Sequence, residues 1–283
     1  MIITLSRIYS FLRILSIDVV VGGLASGAMA AKLMNIVMPW IWWVAFPLSI
    51  WVIYTADHLL DAYRLKDQAH TSRHLFHHHH FLIILVVWLL CFISSISWIA
   101  WLVPKPMLYF AVFMGTLVLI HLSLVKLIGG RVSWMFHKEL GVGFIYAVGV
   151  WGGPVVTSWP NVDQIYLMVF VQFFILSLIN LLIFSMYEIE TDKKDGHTSF
   201  VRAIGKKKTK QLIAGLAVGI VGIGLYLMVY RHIWLINATE GIFMFMLAVL
   251  LLIMIKDEWF RPHETYRILG DGVFMFSWLI YIC

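Results

Sequence analysis

Long, nearly continuous apolar stretches alternate with short polar segments along the whole chain. The stretches lie near residues 12–31, 38–60, 81–103, 108–125, 140–157, 162–186, 211–230, 233–255 and 266–283. Each is close to the length, about 20 residues, that a helix needs to cross a bilayer, whereas barrel strands would alternate apolar and polar positions. The pattern predicts an all-α membrane protein with about nine transmembrane helices in one domain, residues 1–283.

Composition supports this class and adds little else. Apolar residues make up 61% of the 283 positions and charged residues only 13%, too little polar surface to cover a large water-soluble domain. The net charge of +6 is explained by membrane topology and does not require a nucleic-acid partner. The two cysteines, Cys91 and Cys283, have neither disulfide nor zinc-site spacing.

The basic residues predict the orientation. Of the 21 Lys and Arg residues, 18 lie in the N-terminal tail and in the loops after the second, fourth, sixth and eighth stretches, while Lys32, Lys105 and Arg231 lie on the other side. Because Lys and Arg concentrate on the cytoplasmic side of membrane proteins, we expect a cytoplasmic N-terminus and an external C-terminus. The predicted location is the plasma or inner membrane of the cell.

Two acidic pairs end apolar stretches on the predicted cytoplasmic side. Asp57 and Asp61 follow the second stretch, Glu188 and Asp192 follow the sixth, and the spacing of four residues puts each pair on one helical face. Like charges at this spacing repel, and charge near hydrocarbon is costly. A divalent cation would relieve both costs, since Mg²⁺ binds one or two carboxylates together with water and phosphate oxygens. The alternative is that these acids form ordinary surface ion pairs at helix ends.

The second acidic segment resembles a known motif. Residues 188–199 read E-I-E-T-D-K-K-D-G-H-T-S and residues 201–205 read V-R-A-I-G, which is similar to the second aspartate-rich motif of the UbiA superfamily of intramembrane prenyltransferases, with Glu188 in place of its first aspartate. The resemblance implies a bundle of nine transmembrane helices with a central cavity open to the cytoplasm. It also implies Mg²⁺-dependent transfer of an isoprenyl group from a polyprenyl diphosphate to a lipophilic, possibly aromatic, acceptor.

The same resemblance assigns the site. By this resemblance, the expected catalytic and metal-binding residues are Asp57, Asp61, Glu188 and Asp192. The first motif departs from the family pattern N-D-x-x-D-x-x-x-D and aligns with it in two registers. Asp57 and Asp61 align with its last two acids, which leaves Ile53 and Tyr54 at the Asn-Asp positions, or with its asparagine and second aspartate, which leaves His58 and Leu65 at acidic positions.

Basic side chains near a departing diphosphate would stabilise its charge. The candidates are Arg64, Arg131, Lys138 and Lys194, and for each of them topology determination is the alternative. Asn180 and Tyr187 are candidates for the acceptor pocket.

Three alternatives remain open. The same machinery would serve a terpene cyclase, and the incomplete first motif is also compatible with a non-catalytic lipid-binding or scaffold protein. The third rests on His74-Leu-Phe-His77-His78, which matches one histidine box of membrane di-iron enzymes, although no second box is present. The expected partners are a polyprenyl diphosphate, a lipophilic acceptor and the lipid bilayer.

Overall fold

The computed structural model describes residues 11–68, 71–128, 136–195, 198–231 and 233–283. Within these residues the chain is mostly helical, with turns and irregular segments between the helices, and it forms no strand. The helices are α1 (Ile17–Leu33), α2 (Trp42–Leu65), α3 (Ser72–His79), α4 (Phe81–Leu102), α5 (Lys105–Ile128), α6 (Phe136–Ser158), α7 (Gln164–Lys194), α8 (Phe200–Ile204), α9 (Lys206–Arg231), α10 (Trp234–Ile255), α11 (Asp257–Phe260) and α12 (Thr265–Gly272). Three 3₁₀ segments cover Lys66–Gln68, Pro262–Glu264 and Val273–Tyr281.

Seven helices in the described part of the chain are long and apolar enough to cross a membrane. They are α2, α4, α5, α6, α7, α9 and α10. These helices indicate a multi-pass membrane protein in a lipid bilayer. The other two predicted spans are also helical but shorter, since α1 has 17 residues and the last stretch is divided into α12, with 8 residues, and a 3₁₀ segment of 9 residues.

Helix α7 lies at the centre of the bundle. In its most apolar window 61% of the residues are buried, against 11% for α4 and α5, which leave most of their apolar side chains on the surface. Phe173, Ile179 and Ile183 of α7 are fully buried in the main hydrophobic core. Because α7 is surrounded by other helices, both its polar side chains and its acidic end must find partners within the protein.

The first and last helical segments pack closely against each other. A Cβ atom added to Gly22 of α1 would lie 3.0 Å from the Cβ of Phe274, so glycine allows the close approach there. Ser26 of α1 and Ser277 of the last segment place their hydroxyl oxygens 3.0 Å apart. Small residues and hydroxyl pairs of this kind hold membrane helices together where the hydrophobic effect contributes little.

A polar pair lies deep in the core between α7, α9 and α10. The Gln172 amide donates to Glu240 Oε2 at 2.7 Å and to the backbone oxygen of Ile220 at 3.1 Å. Both side chains are completely buried. Gly224 provides the space, since a Cβ atom there would lie 2.6 Å from Glu240 Oε2.

Replacing Gln172 by Leu should lower the free energy of unfolding by about 1–3 kcal/mol, because it leaves the Glu240 carboxyl buried without its donor. Glu240→Gln should cost less than about 1 kcal/mol, since a neutral amide can still pair with Gln172. Unfolding by SDS in mixed micelles measures both. Equal losses in the two variants would contradict the importance of this pair.

Candidate functional site

The two acid-bearing helices end in the same region of the bundle. Asp57 and Asp61 lie in the last turns of α2, and α3 folds back so that His74 Nε2 is 3.8 Å from Asp61 Oδ2. The same histidine interacts electrostatically with Asp57 and with Asp195, the residue directly after α7. The acidic ends of α2 and α7 therefore both lie within electrostatic range of His74 on α3.

Lys138, at the start of α6, contributes a positive charge to this region. Its ammonium group interacts electrostatically with Asp192 and with His121 of α5, and His121 in turn interacts with Asp57. Of the four basic residues predicted for the diphosphate, Lys138 is the one that the structure links to both acidic segments.

In the part of the chain that it describes, the structure does not link the other three predicted basic residues to both acidic segments. Arg64 is exposed, with its guanidinium 3.7 Å from Asp61, and Lys194 is exposed at the last position of α7. Arg131 lies outside the described residues.

Glu139 holds the segment that follows α7. Its Oε1 accepts hydrogen bonds from the Ser185 hydroxyl at 2.5 Å and from the backbone N–H of Phe200 at 2.8 Å. The side chain of Ser199 lies beside the Asp192 carboxylate. Glu139 thereby connects α6, α7 and α8 next to Asp192. Glu139 is not among the predicted site residues, although an acid directly after Lys138 and before an apolar stretch is a recognisable signal.

Glu188 is neutralised inside the protein. Its Oε1 accepts from Arg267 at 2.5 Å and from the Tyr266 hydroxyl at 2.9 Å. The sequence showed Arg267 only as a charge within the last apolar stretch. The fold brings this arginine from α12 to the acidic end of α7.

Tyr187 serves mainly in packing. Its ring stacks on Tyr266 with centroids 4.1 Å apart, and its hydroxyl donates to the backbone oxygen of Ile253 at 2.8 Å. The side chain therefore faces the end of α10. It does not line the polar cavity in which the other predicted acceptor-pocket residue, Asn180, is found.

That cavity lies between α1, α2, α6, α7 and the C-terminal segments. Its polar lining comes from Tyr54, Tyr146, Ser177, Asn180 and Asp271, and its volume is about 30 Å³. The Asn180 amide lies beside the Asp271 carboxyl. This volume accommodates one or two waters or a group the size of a hydroxyl.

Arg73 of α3 points towards the interior. It donates to the backbone oxygen of Arg13 at 3.3 Å, and Nη1 lies 3.4 Å from His58 Nε2. Burial lowers the pKa of this guanidinium, as does the neighbouring Arg267, whereas the carboxylates of Asp271, Asp18 and Glu188 oppose the shift. These two arginines and three acids form what we call the interior charge cluster: Asp18, Arg73, Glu188, Arg267 and Asp271.

The donor chemistry fits Mg²⁺, which the resemblance implies. Asp57 and Asp61 supply two carboxylates, as many as Mg²⁺ usually takes from protein when water and phosphate complete its shell. In the second pair Glu188 is engaged by Arg267 and Tyr266, which leaves Asp192 as its remaining carboxylate. Within the described residues, no group of three or more His, Cys, Asp or Glu side chains is arranged to hold a metal ion. His58 lies near His74 and His77, with ring centroids 6.0 and 5.2 Å apart, so part of the histidine tract faces inward.

Comparison with protein-family models, with curated proteins and with solved structures finds no match for this chain. The features of the structure that bear on function are the two acidic helix ends, the cations beside them and the polar cavity deeper in the bundle.

The two inward-facing histidines predict a pH dependence of stability. Burial lowers the pKa of both His74 and His77. In the unfolded chain these histidines have the ordinary pKa of about 6.5, so below that pH the unfolded chain binds protons that the folded protein does not. Stability should therefore fall as the pH decreases through about 6.5, by up to about 1.4 kcal/mol per pH unit for each histidine. His77→Gln should make the dependence shallower in unfolding experiments between pH 5 and 8. The exposed His79→Gln serves as the control, and equal slopes in the two variants would contradict the assignment.

Arg267→Leu should lower the free energy of unfolding by about 3 kcal/mol, because it leaves Glu188 as an uncompensated charge. The matched control is Arg261→Leu, whose guanidinium lies 3.7 Å from Asp257 with about half of each side chain exposed. That exposed pair should contribute less than about 1 kcal/mol. SDS unfolding measures both, and similar losses would show that the Arg267–Glu188 pair is not special.

Proposed function

We propose that this protein is an intramembrane enzyme of the UbiA type, which transfers an isoprenyl group from a polyprenyl diphosphate to a lipophilic acceptor. The observation that carries the proposal is the electrostatic proximity of the acidic ends of α2 and α7: His74 Nε2 lies 3.8 Å from Asp61 and interacts with Asp57 and with Asp195, three residues after Asp192. Two acidic pairs distant in sequence thus end in one region. Such an arrangement suits a substrate that carries several negative charges together with divalent cations.

In this proposal Asp57, Asp61, Glu188 and Asp192 hold Mg²⁺. The ion would offset the charge of the diphosphate and make it a better leaving group. Lys138 stabilises the negative charge that develops on the diphosphate as the bond to the allylic carbon breaks. Arg64, Lys194 and Arg131 are the further basic candidates.

The bundle provides the apolar environment for the rest of the substrate. An isoprenyl chain is hydrocarbon and favours the bilayer or an apolar protein interior over water. The site would then face the cytoplasm, where the basic loops place the ends of α2 and α7.

A second candidate is a non-catalytic lipid-binding or scaffold protein with the same architecture. The observation that favours it is the ion pair between Glu188 and Arg267, which already balances one of the four proposed metal ligands. The first candidate is preferred because the ion pair involves one acid, whereas Asp192 has the cation Lys138 and Ser199 beside it and remains half-buried.

The test measures release of inorganic diphosphate from farnesyl, geranylgeranyl and longer polyprenyl diphosphates by the full-length protein in detergent with Mg²⁺. Asp192→Asn should reduce the rate at least 100-fold, since it removes a charged ligand of the Mg²⁺ that would offset the charge of the leaving group. Asp163→Asn is the matched control and should leave the rate within twofold. Asp163 caps the far end of α7 by accepting from the Ile165 N–H at 2.9 Å, a role that asparagine also fills.

Three other outcomes of this experiment would distinguish the candidate functions. No release from any chain length in the wild-type protein would favour the non-catalytic candidate. Release without acceptor that yields a cyclic hydrocarbon would identify a terpene cyclase. Equal rates in the Asp192 and Asp163 variants would exclude the acidic ends as the site of the reaction.

A further inference from the structure

The polar cavity and the members of the interior charge cluster other than Glu188 have no assigned part in binding the diphosphate, yet they include carboxyl groups inside the bundle. A carboxyl group inside a membrane protein is expensive and commonly marks a functional site. Asp18 is 3% exposed, and Oδ2 has no hydrogen-bond partner among the described residues. Asp271 lines the cavity next to Asn180.

The charges of the cluster do not cancel. Three carboxyls, Asp18, Glu188 and Asp271, face two guanidiniums, Arg73 and Arg267. Glu188 is paired with Arg267, so Asp18 and Asp271 share Arg73 as their nearest remaining cation. Because two like charges in a low-dielectric site repel strongly, the two aspartates are expected to hold one proton between them. One of the two is then left ionised, and Asp271 is the one of the pair that lines the cavity.

The hydrogen-bonding groups that line the cavity suit one kind of ligand, a hydroxyl group. Two tyrosine hydroxyls, the Asn180 amide and the carboxylate can surround a hydroxyl group, which donates to the carboxylate and accepts from a tyrosine. Asn180 Oδ1 is buried without a partner among the described residues, so the cavity also has an acceptor for a water that accompanies the ligand. The volume of about 30 Å³ fits the hydroxyl end of a larger molecule.

The cavity also lies close enough to the acidic end of α7 for an acceptor in it to reach a diphosphate substrate bound there. Asp271 follows Arg267 by one turn of α12, about 6 Å along the helix axis, and Arg267 contacts Glu188 at the acidic end of α7. A diphosphate held at that end would therefore have its reacting carbon between the acidic ends and the cavity.

We propose that the cavity binds the hydroxyl group of an alcohol or phenol acceptor and that Asp271 accepts its proton. This inference rests on the proposed function. The allylic carbon–oxygen bond breaks and its electron pair leaves with the diphosphate. The acceptor oxygen forms the new bond to the allylic carbon, and its proton passes to the carboxylate of Asp271, from which it returns to solvent.

Groups on the neighbouring helices affect how readily the Asp271 carboxyl is charged. Asp18 of α1 disfavours its charge, whereas Arg73 of α3 and Arg267 of α12 favour it. Tyr54 of α2 and Tyr146 of α6 interact with it electrostatically. They are therefore the candidates for orienting the acceptor hydroxyl.

The experiment uses the full-length protein in detergent with Mg²⁺, farnesyl diphosphate as donor, and 1-dodecanol and 2-naphthol as acceptor probes. The wild-type protein should prenylate at least one probe. Asp271→Asn should slow transfer at least 100-fold, the range of general base catalysis, while diphosphate release without acceptor stays within threefold. Asp192→Asn should abolish both reactions.

The outcomes separate the two proposals. If the wild-type protein releases no diphosphate, the proposed function fails. If it releases diphosphate but prenylates neither probe, or if Asp271→Asn transfers at the wild-type rate, the acceptor site is overturned and the proposed function stands.

If Asp271→Asn does not fold, the pH dependence of the wild-type protein decides. Transfer should rise with pH through one ionisation that diphosphate release without acceptor does not show, and superimposable profiles would overturn the inference. Tyr54→Phe, which keeps the ring, should raise the KM for the acceptor with little change in the rate of diphosphate release.

Discussion

Charged side chains inside an apolar bundle must be neutralised by one another, and the ion pair between Arg267 and Glu188 is where this requirement is most visible. It joins the acidic end of α7 to α12, and Tyr266 strengthens the link through its hydroxyl. One turn further along α12, Asp271 faces Arg73 and Asp18, so the charges of four helical segments depend on this arrangement. Removing one partner would leave a charge that water reaches poorly.

This requirement also explains the unusual course of the short helix α3. A segment of eight residues with one arginine and four histidines would ordinarily lie in the headgroup region. Here Arg73 turns inward to the acids, and His77 is fully buried with Nδ1 2.9 Å from the Arg73 backbone oxygen. The helix thus contributes Arg73 to the interior charge cluster. It also places His74 within 3.8 Å of Asp61 and within electrostatic range of Asp195 after α7.

The site and the scaffold use different interactions. Membrane-facing helices such as α4 and α5 need only apolar surfaces, and they contribute few buried residues. The central helix α7 combines a fully buried core with the acidic end and with Asn180, eight residues before Glu188, so one rigid element sets the distance between the acidic end and the cavity. Glu139 and Ser199 add support beside Asp192 from α6 and from the segment before α8.

Much of the architecture follows from the sequence because hydrophobicity along a chain is a local property. Seven of the nine apolar stretches coincide with helices long enough to cross a bilayer, and the other two are shorter helical segments. The spacing of Asp57 with Asp61, and of Glu188 with Asp192, likewise predicts that each pair shares a helical face. Whether these acids bind Mg²⁺ and diphosphate stays a prediction. The packing roles of Arg267, Tyr266 and Glu139 could not be predicted, since each depends on a partner more than 40 residues away.

The sequence by itself determined an all-helical membrane protein with two acidic helix ends, because composition and periodicity suffice for both. Only the tertiary structure decided which charges neutralise which, that Tyr187 packs against Tyr266, and that Asn180 shares a cavity with Asp271. The physical reason is that burial and electrostatic pairing are properties of groups brought together in space. The sequence shows which charged residues fall in apolar segments, where burial costs free energy. The packed bundle determines which neighbouring groups offset that cost.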